Sequence, residues 1–346
     1  MSLLRSLHAW VGAAFALVFI LMGLTGVASV LRGEVIQLTV PAAQAPAPAV
    51  ATFGPALEAF EASGGGRIRS ATFAPYELGV HRLRLSDGAN AFIDPKGGLV
   101  QRWRGNERLE ELVLSAHKSF LIKKNGNFAV GSVALVGLGL ALTGLVIWAA
   151  SRPRLSLRIW PKGTDRPAML SAHRALGSIL ALFLIVQVTS AILLAFGVFT
   201  RPLLGFESAT APKVTATFQG APSWTRLLAA AQTEFPQAEI RRVSAPPQPD
   251  RAAAVYLRRP GELDPEGDTV VFLDSHAVVV GQRRGEDQGF GARLYDSLKA
   301  IHSGDYGGAP TRILVGAVGL SLTALGVFGL WSFLRGPRVR RRSGRA

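Results

Sequence analysis

Four long apolar runs constrain this chain more than any other feature. They cover residues 9–31, 128–150, 170–200 and 309–334 of a 346-residue sequence, the first helix being expected over 1–31, and no charged side chain falls near their centres. A hydrocarbon layer about 30 Å thick is crossed by roughly 20 helical residues. Within it the backbone must satisfy its own hydrogen bonds, which a helix does. The runs therefore predict four transmembrane helices. Hydrophobic residues make up 49% of the chain, and its mean hydropathy of +0.28 agrees. The first run follows Arg5 and is longer than the apolar part of a cleaved leader, so it reads as a span.

The runs divide the rest of the sequence into two long segments, 32–127 and 201–308, a short basic loop, 151–169, and a basic tail, 335–346. Loop and tail are rich in arginine, which by the positive-inside rule puts both, and both termini, on the cytoplasmic side. The net charge of +15 gathers beside the apolar runs. That distribution suits anchoring at anionic membrane lipid, and no nucleic-acid module or partner is expected. Cysteine is absent. Disulfides, iron–sulfur ligation, cysteine nucleophiles and covalent c-type haem are thereby excluded.

Each long segment reads as a small α+β unit. In the first, after the Pro/Ala-rich stretch 41–50, a helix is expected over 55–63 and strands over 67–73, 79–86, 90–94 and 99–104. An amphipathic helix follows over 107–124. In the second, a helix over 223–235 precedes four strand-like stretches. FLDSHAVVVGQRRG at 272–285 aligns with FIDPKGGLVQRWRG at 92–105. The whole plan of span, α+β unit and span then occurs twice, which reads as an internal duplication. Trp148 and Trp331 end corresponding spans and, with Trp10 and Trp160, suit an interfacial aromatic belt. The glycines of GLGLALTG, 137–144, suggest close helix packing.

The repeat carries four histidines. His8 and His173 open the first and third runs, and His117 and His302 precede the second and fourth. With the topology above, His8 and His173 lie near the cytoplasmic face, and His117 and His302 near the outer face. Neutral imidazole is a common iron ligand, and an ionisable residue beside a span is a functional candidate. The pairs His8/His173 and His117/His302 are expected to be axial ligands of two b-type haems, one in each leaflet. Gly12 and Gly177, one turn beyond their histidines, would let a flat macrocycle approach the helix. Glu111 and Asp296 stand six residues before His117 and His302. His81, in a strand, is expected to be structural, and His276, in a turn, to be solvated. Gln187, Thr189 and Ser190 are expected to pack or bond between helices. No nucleotide-binding glycine loop, catalytic triad, zinc spacing, or flavin or nicotinamide domain is visible.

LHAWVG and HRALG at the heads of the first and third runs, LSAHKSF and LKAIHSG ahead of the second and fourth, and the hairpins of the α+β units carry a resemblance. Across nearly its whole length the chain resembles the PepSY-associated transmembrane family. That likeness implies an α-helical membrane protein, a four-helix bundle with two small PepSY-like extracytoplasmic domains, in the bacterial inner membrane. Some members are periplasm-facing ferric-siderophore reductases, with haem held between the four helices at histidines matching His8, His117, His173 and His302. The resemblance thus implies electron transfer from a cytoplasmic or quinol donor to a ferric siderophore or other ferric chelate. It also leaves a different class open, since isolated PepSY units are thought to bind or restrain peptidases without any haem.

Overall fold

The computed structural model describes residues 1–151 and 158–336; Arg152 and Arg154 of the basic loop and residues 337–346 of the tail lie outside the described residues. In chain order the first half contains α1 (Ser2–Val30), α2 (Arg32–Thr39), α3 (Phe53–Ala62), β1 (Ile68–Thr72), β2 (His81–Leu85), β3 (Asn90–Ile93), β4 (Leu99–Trp103), α4 (Leu109–Ser119) and α5 (Gly126–Ala150). The second half contains α6 (Arg166–Ala195), α7 (Gly197–Leu203), α8 (Trp224–Glu234), β5 (Glu239–Ser244), β6 (Ala253–Arg258), β7 (Thr269–Leu273), β8 (Val279–Arg283), α9 (Phe290–Ser303) and α10 (Ala309–Leu334). The chain forms two compact units. One joins Met1–Val30, Ala116–Phe196 and the segment from Arg312 onward; the other joins Leu31–Ser115 and Gly197–Thr311.

The first unit holds the four spans, α1, α5, α6 and α10, each long and apolar enough to cross a membrane. The third begins at Arg166, four residues earlier than the apolar run suggested, because Asp165 caps it: the side chain accepts the Ala168 N–H at 3.2 Å, with a proline in the first turn. It ends at Ala195, and α7 is a separate helix. Small residues set the helix contacts. A Cβ on Gly23 of α1 would strike Thr323 and the Gly319 carbonyl of α10, and one on Gly326 of α10 would lie 2.8 Å from Ile20 of α1. A Cβ on Gly131 of α5 would lie 2.7 Å from the Phe196 ring, and one on Gly137 of α5 would lie 3.2 Å from Phe19 of α1. Met169, Ala172 and Leu176 of α6 bury against Phe328 of α10. Of the glycines expected to pack closely, Gly137 and Gly144 do so, whereas Gly139 has open space beside it.

The second unit is built on one antiparallel sheet of eight strands, in the order β4-β3-β2-β1-β5-β6-β7-β8. The sequence suggests two separate α+β units, over 32–127 and 201–308; in the fold they share a sheet and a core. The physical reason lies in β1 and β5. Each would otherwise be an exposed edge, and they pair through Ser70↔Ser244, Ala71↔Val243 and Thr72↔Arg242. Helices α3 and α8 cover one face, where Leu57, Phe60, Trp224 and Leu227 bury against Leu83, Val243, Val255 and Val271. Glu58 of α3 accepts the Thr225 N–H and hydroxyl, each at 3.0 Å, and Glu61 accepts the Trp224 indole N–H at 2.9 Å. The first of those bonds satisfies a free amide at the start of α8, and all of them tie the two halves together.

The two outer hairpins close in the same way. Asp94 Oδ1 accepts the Lys96 and Gly98 N–H groups, and Asp274 Oδ1 accepts those of His276 and Val278. Each pairing slips by one residue at the corresponding place, Phe92/Ile93 and Phe272/Leu273. The left-handed turn position is Gly97 in one hairpin and Ala277 in the other.

Candidate functional site: histidines seated in the four-span unit

Of the four candidate ligands, the bundle brings His8 and His173 together. Their ring centroids lie 6.4 Å apart with the planes 78° to each other. Imidazole–metal bonds run about 2 Å, and the ring centre lies roughly an ångström behind the bonding nitrogen, so two imidazoles on opposite sides of one metal ion would have centroids about 6 Å apart. The observed spacing matches that arrangement.

Both rings have a committed nitrogen. His8 Nδ1 lies 3.0 Å from Thr143 Oγ1 on α5, and His173 Nδ1 lies 3.0 Å from the Leu325 carbonyl on α10. A carbonyl only accepts, so His173 carries its proton on Nδ1. The hydroxyl of Thr143 donates to the Gly139 carbonyl at 2.7 Å, so it too receives the ring proton. Each Nε2 therefore keeps its lone pair, and neither makes a hydrogen bond among the described residues.

His117 is seated in the same unit, toward the other end of α1. Its Nδ1 lies 3.1 Å from Thr25 Oγ1, whose own proton goes to the Leu21 carbonyl at 2.7 Å. Burial lowers the His117 pKa below the ordinary histidine value, favouring the neutral ring. Gly26 lies 18 residues from His8 on one helix, roughly 27 Å at 1.5 Å per residue. His302 lies near the end of α9, half-buried, in the sheet-bearing unit. His117 and His302 thus belong to different units.

Gly12 and Gly177 lack the close neighbours that force a glycine. A Cβ on Gly12 would meet Leu140 at 3.9 Å, and one on Gly177 would meet Leu325 at 3.6 Å, both ordinary contacts. A helix-interior glycine costs about 1 kcal/mol relative to alanine, and protein packing does not require one at either place.

The acids six residues before His117 and His302 fare differently. Glu111 accepts from Arg32 at 2.5 Å and Arg82 at 2.8 Å in a largely buried cluster. Asp296 accepts from Gln288 at 2.9 Å, and burial raises its pKa. His81 is fully buried, with Nδ1 accepting the Ala74 N–H at 3.3 Å and both Phe53 and Phe73 edge-on to its ring. Burial drives its pKa down to about 4, so it is a neutral core residue. His276 is exposed in its turn. Ser190 donates to the Gln187 carbonyl at 2.8 Å within α6. Trp10 packs edge-on to Phe333, and Trp331 donates to the Thr164 carbonyl at 2.8 Å.

Among the described residues no three or more histidines and carboxylates gather as a metal site. A pair of imidazoles holds a bare ion weakly, but it is a complete axial set for an iron whose four equatorial positions a porphyrin fills. The donor set, its spacing and the two unforced glycines fit haem. The readings from sequence missed Thr25, Thr143, Gly26 and the Leu325 carbonyl, and took Gly144 for a helix-packing glycine rather than a neighbour of His8. One signal was available: the first two spans both contain Leu-Thr-Gly, at 24–26 and 142–144.

Fold and site together define a four-span membrane protein with a sheet-built extramembrane part and a histidine pair inside the bundle. The chain belongs to the family described as PepSY-associated TM region, whose model matches residues 5–335, nearly the whole sequence. No curated protein matches it significantly.

Proposed function

We propose that this protein is a haem-dependent electron-transfer protein that reduces ferric iron held in a chelate, such as a siderophore, during iron uptake. The observation that carries the reading is the His8/His173 pair: two imidazoles at the spacing of a shared metal, each with Nδ1 engaged and Nε2 open. Haem b, when bound, supplies reversible one-electron chemistry. His8 and His173 would hold the iron through Nε2, and Gly12 and Gly177 would leave the adjoining helix faces flat. Their neutral rings keep added positive charge out of the bundle, where it is costly. His117 and His302 are the proposed ligands of a second haem b, a reading that rests on their place in the repeated sequence.

In this reading the chain is a duplicated unit in the inner membrane. The basic loop and both termini face the cytoplasm, and the sheet-bearing unit faces outward to meet the ferric chelate. With no flavin or nicotinamide domain legible in the sequence, electrons come from a separate cytoplasmic donor or a quinol. The family supports a transmembrane PepSY-associated protein, and the histidine geometry supports the haem.

The test is an optical spectrum of the detergent-purified protein, oxidised and then reduced with dithionite, with haem counted per chain. Low-spin b-type bands are expected, reaching two haems per chain. His8→Ala and His173→Ala are each expected to remove the same haem. A colourless protein, made with ample haem supply, would overturn the reading and leave a membrane-anchored PepSY binding protein, acting on a peptidase or a signal, as the account.

A further inference from the structure

We propose that the Leu-Thr-Gly tripeptides of the first two spans are seats that aim the ligand histidines, with Thr143 and Thr25 as positioning residues. Thr143 and Gly144 seat His8; Thr25 and Gly26 seat His117. The inference rests on the haem reading above.

Two contacts define each seat. The threonine hydroxyl has one proton, and in both seats that proton goes to a carbonyl of its own helix, Gly139 or Leu21, at 2.7 Å. Only lone pairs then face the imidazole, at 3.0 Å for His8 and 3.1 Å for His117. The ring nitrogen opposite must donate, which fixes the tautomer. The following glycine is the second contact. A Cβ on Gly144 would stand 3.1 Å from His8 Cε1, and one on Gly26 would stand 3.1 Å from His117 Cε1. The ring edge rests on bare backbone, so tilt and tautomer are set together. A hydrogen bond accepted from the far nitrogen also enriches the ligand in electron density.

The second half of the chain reaches the same end by another route. Aligned at Trp148 and Trp331, the fourth span has Ala324-Leu325-Gly326 where the second has Ala141-Leu142-Thr143. With the threonine gone, His173 Nδ1 donates to the Leu325 carbonyl. Gly329 keeps the approach open, since a Cβ there would stand 3.3 Å from His173 Cε1. The acceptor is retained although the side chain is not. Packing alone has no use for that substitution, whereas a ligand that must present one chosen nitrogen does.

The experiment uses the full-length protein in detergent and compares Thr143→Val, which keeps the shape and removes the lone pairs, with Thr143→Ser, which keeps the acceptor. Thr143→Val is expected to bind haem about ten- to a hundredfold more weakly. Its midpoint potential should shift upward, because a less electron-rich imidazole stabilises Fe(III) less, and its ferric electron paramagnetic resonance should change. Thr143→Ser is expected to match wild type in all three. A Thr143→Val protein with unchanged affinity, potential and resonance overturns the seat while leaving the haem reading intact. Wild-type protein that takes up no haem overturns both. Should Thr143→Val not accumulate, Gly144→Ala tests the same seat, because its methyl group displaces the His8 ring; an unchanged resonance there is likewise decisive against it.

Discussion

An imidazole presents one nitrogen reliably only when the other is occupied. That need explains why the histidines stand out in the sequence more plainly than the partners of His8 and His173. A histidine at the head of an apolar run stands out by itself. Its acceptor lies 135 residues away for His8 and 152 for His173, in one case a backbone carbonyl that no residue type signals. Titration at single residues is likewise a product of the fold. Asp268 keeps its proton up to about pH 7, because burial and the nearby Asp296, Asp264 and Glu262 disfavour its charge, whereas an unfolded chain releases it near 3.9. Between those values the folded state holds more protons, so this group's contribution to stability is present at low pH and is lost as the pH rises to about 7. Asp268→Asn is expected to gain stability relative to wild type as the pH is raised from 5 to 7.5. Urea midpoints at the two pH values measure this, and an unchanged difference would refute it. His81 pulls the other way below about pH 6.5, so the difference between the two proteins isolates Asp268.

At the scale of elements, spans and hairpins were legible for different reasons. The fourth span matched its expected bounds and the first and second came within two residues, because apolar runs of that length have one outcome in a bilayer. The third began early because a single capping aspartate decided it. The turn residues located the two outer hairpins, and the alignment of 92–105 with 272–285 holds down to the aspartate that closes each. The same alignment exposes a weakness. Ala277 adopts φ 63°, where Gly97 has 86°; the left-handed region costs a side-chain-bearing residue about 1–2 kcal/mol. Ala277→Gly is expected to stabilise the sheet-bearing unit by about 1 kcal/mol, partly offset by the greater freedom of glycine when unfolded. A raised thermal midpoint checks it, and a lowered one would show that the turn is not strained.

At the scale of the molecule, the sequence suggests a repeat but not how the two halves meet. Each half carries a strand edge and a helix, and nothing local says that the edges are for each other. In the fold, β1 pairs β5 and α3 binds the start of α8, so the two halves of the sheet share one core. They are therefore expected to unfold together. A proline at Val243, a buried position of β5 facing Ala71, should make both halves protease-sensitive at the same denaturant concentration. Cleavage confined to the second half would show two independent domains. The β1–β5 joint also sets a timetable for biosynthesis. β1 ends at Thr72 and β5 begins at Glu239, some 170 residues later. At roughly 5–20 residues per second the ribosome needs about ten to thirty seconds to supply the partner. Throughout that interval the nascent first half shows an unpaired edge, to which the equivalent strand of a neighbouring nascent chain is as good a match as its own. Widely spaced ribosomes, or a chaperone on that edge, would keep each chain to itself.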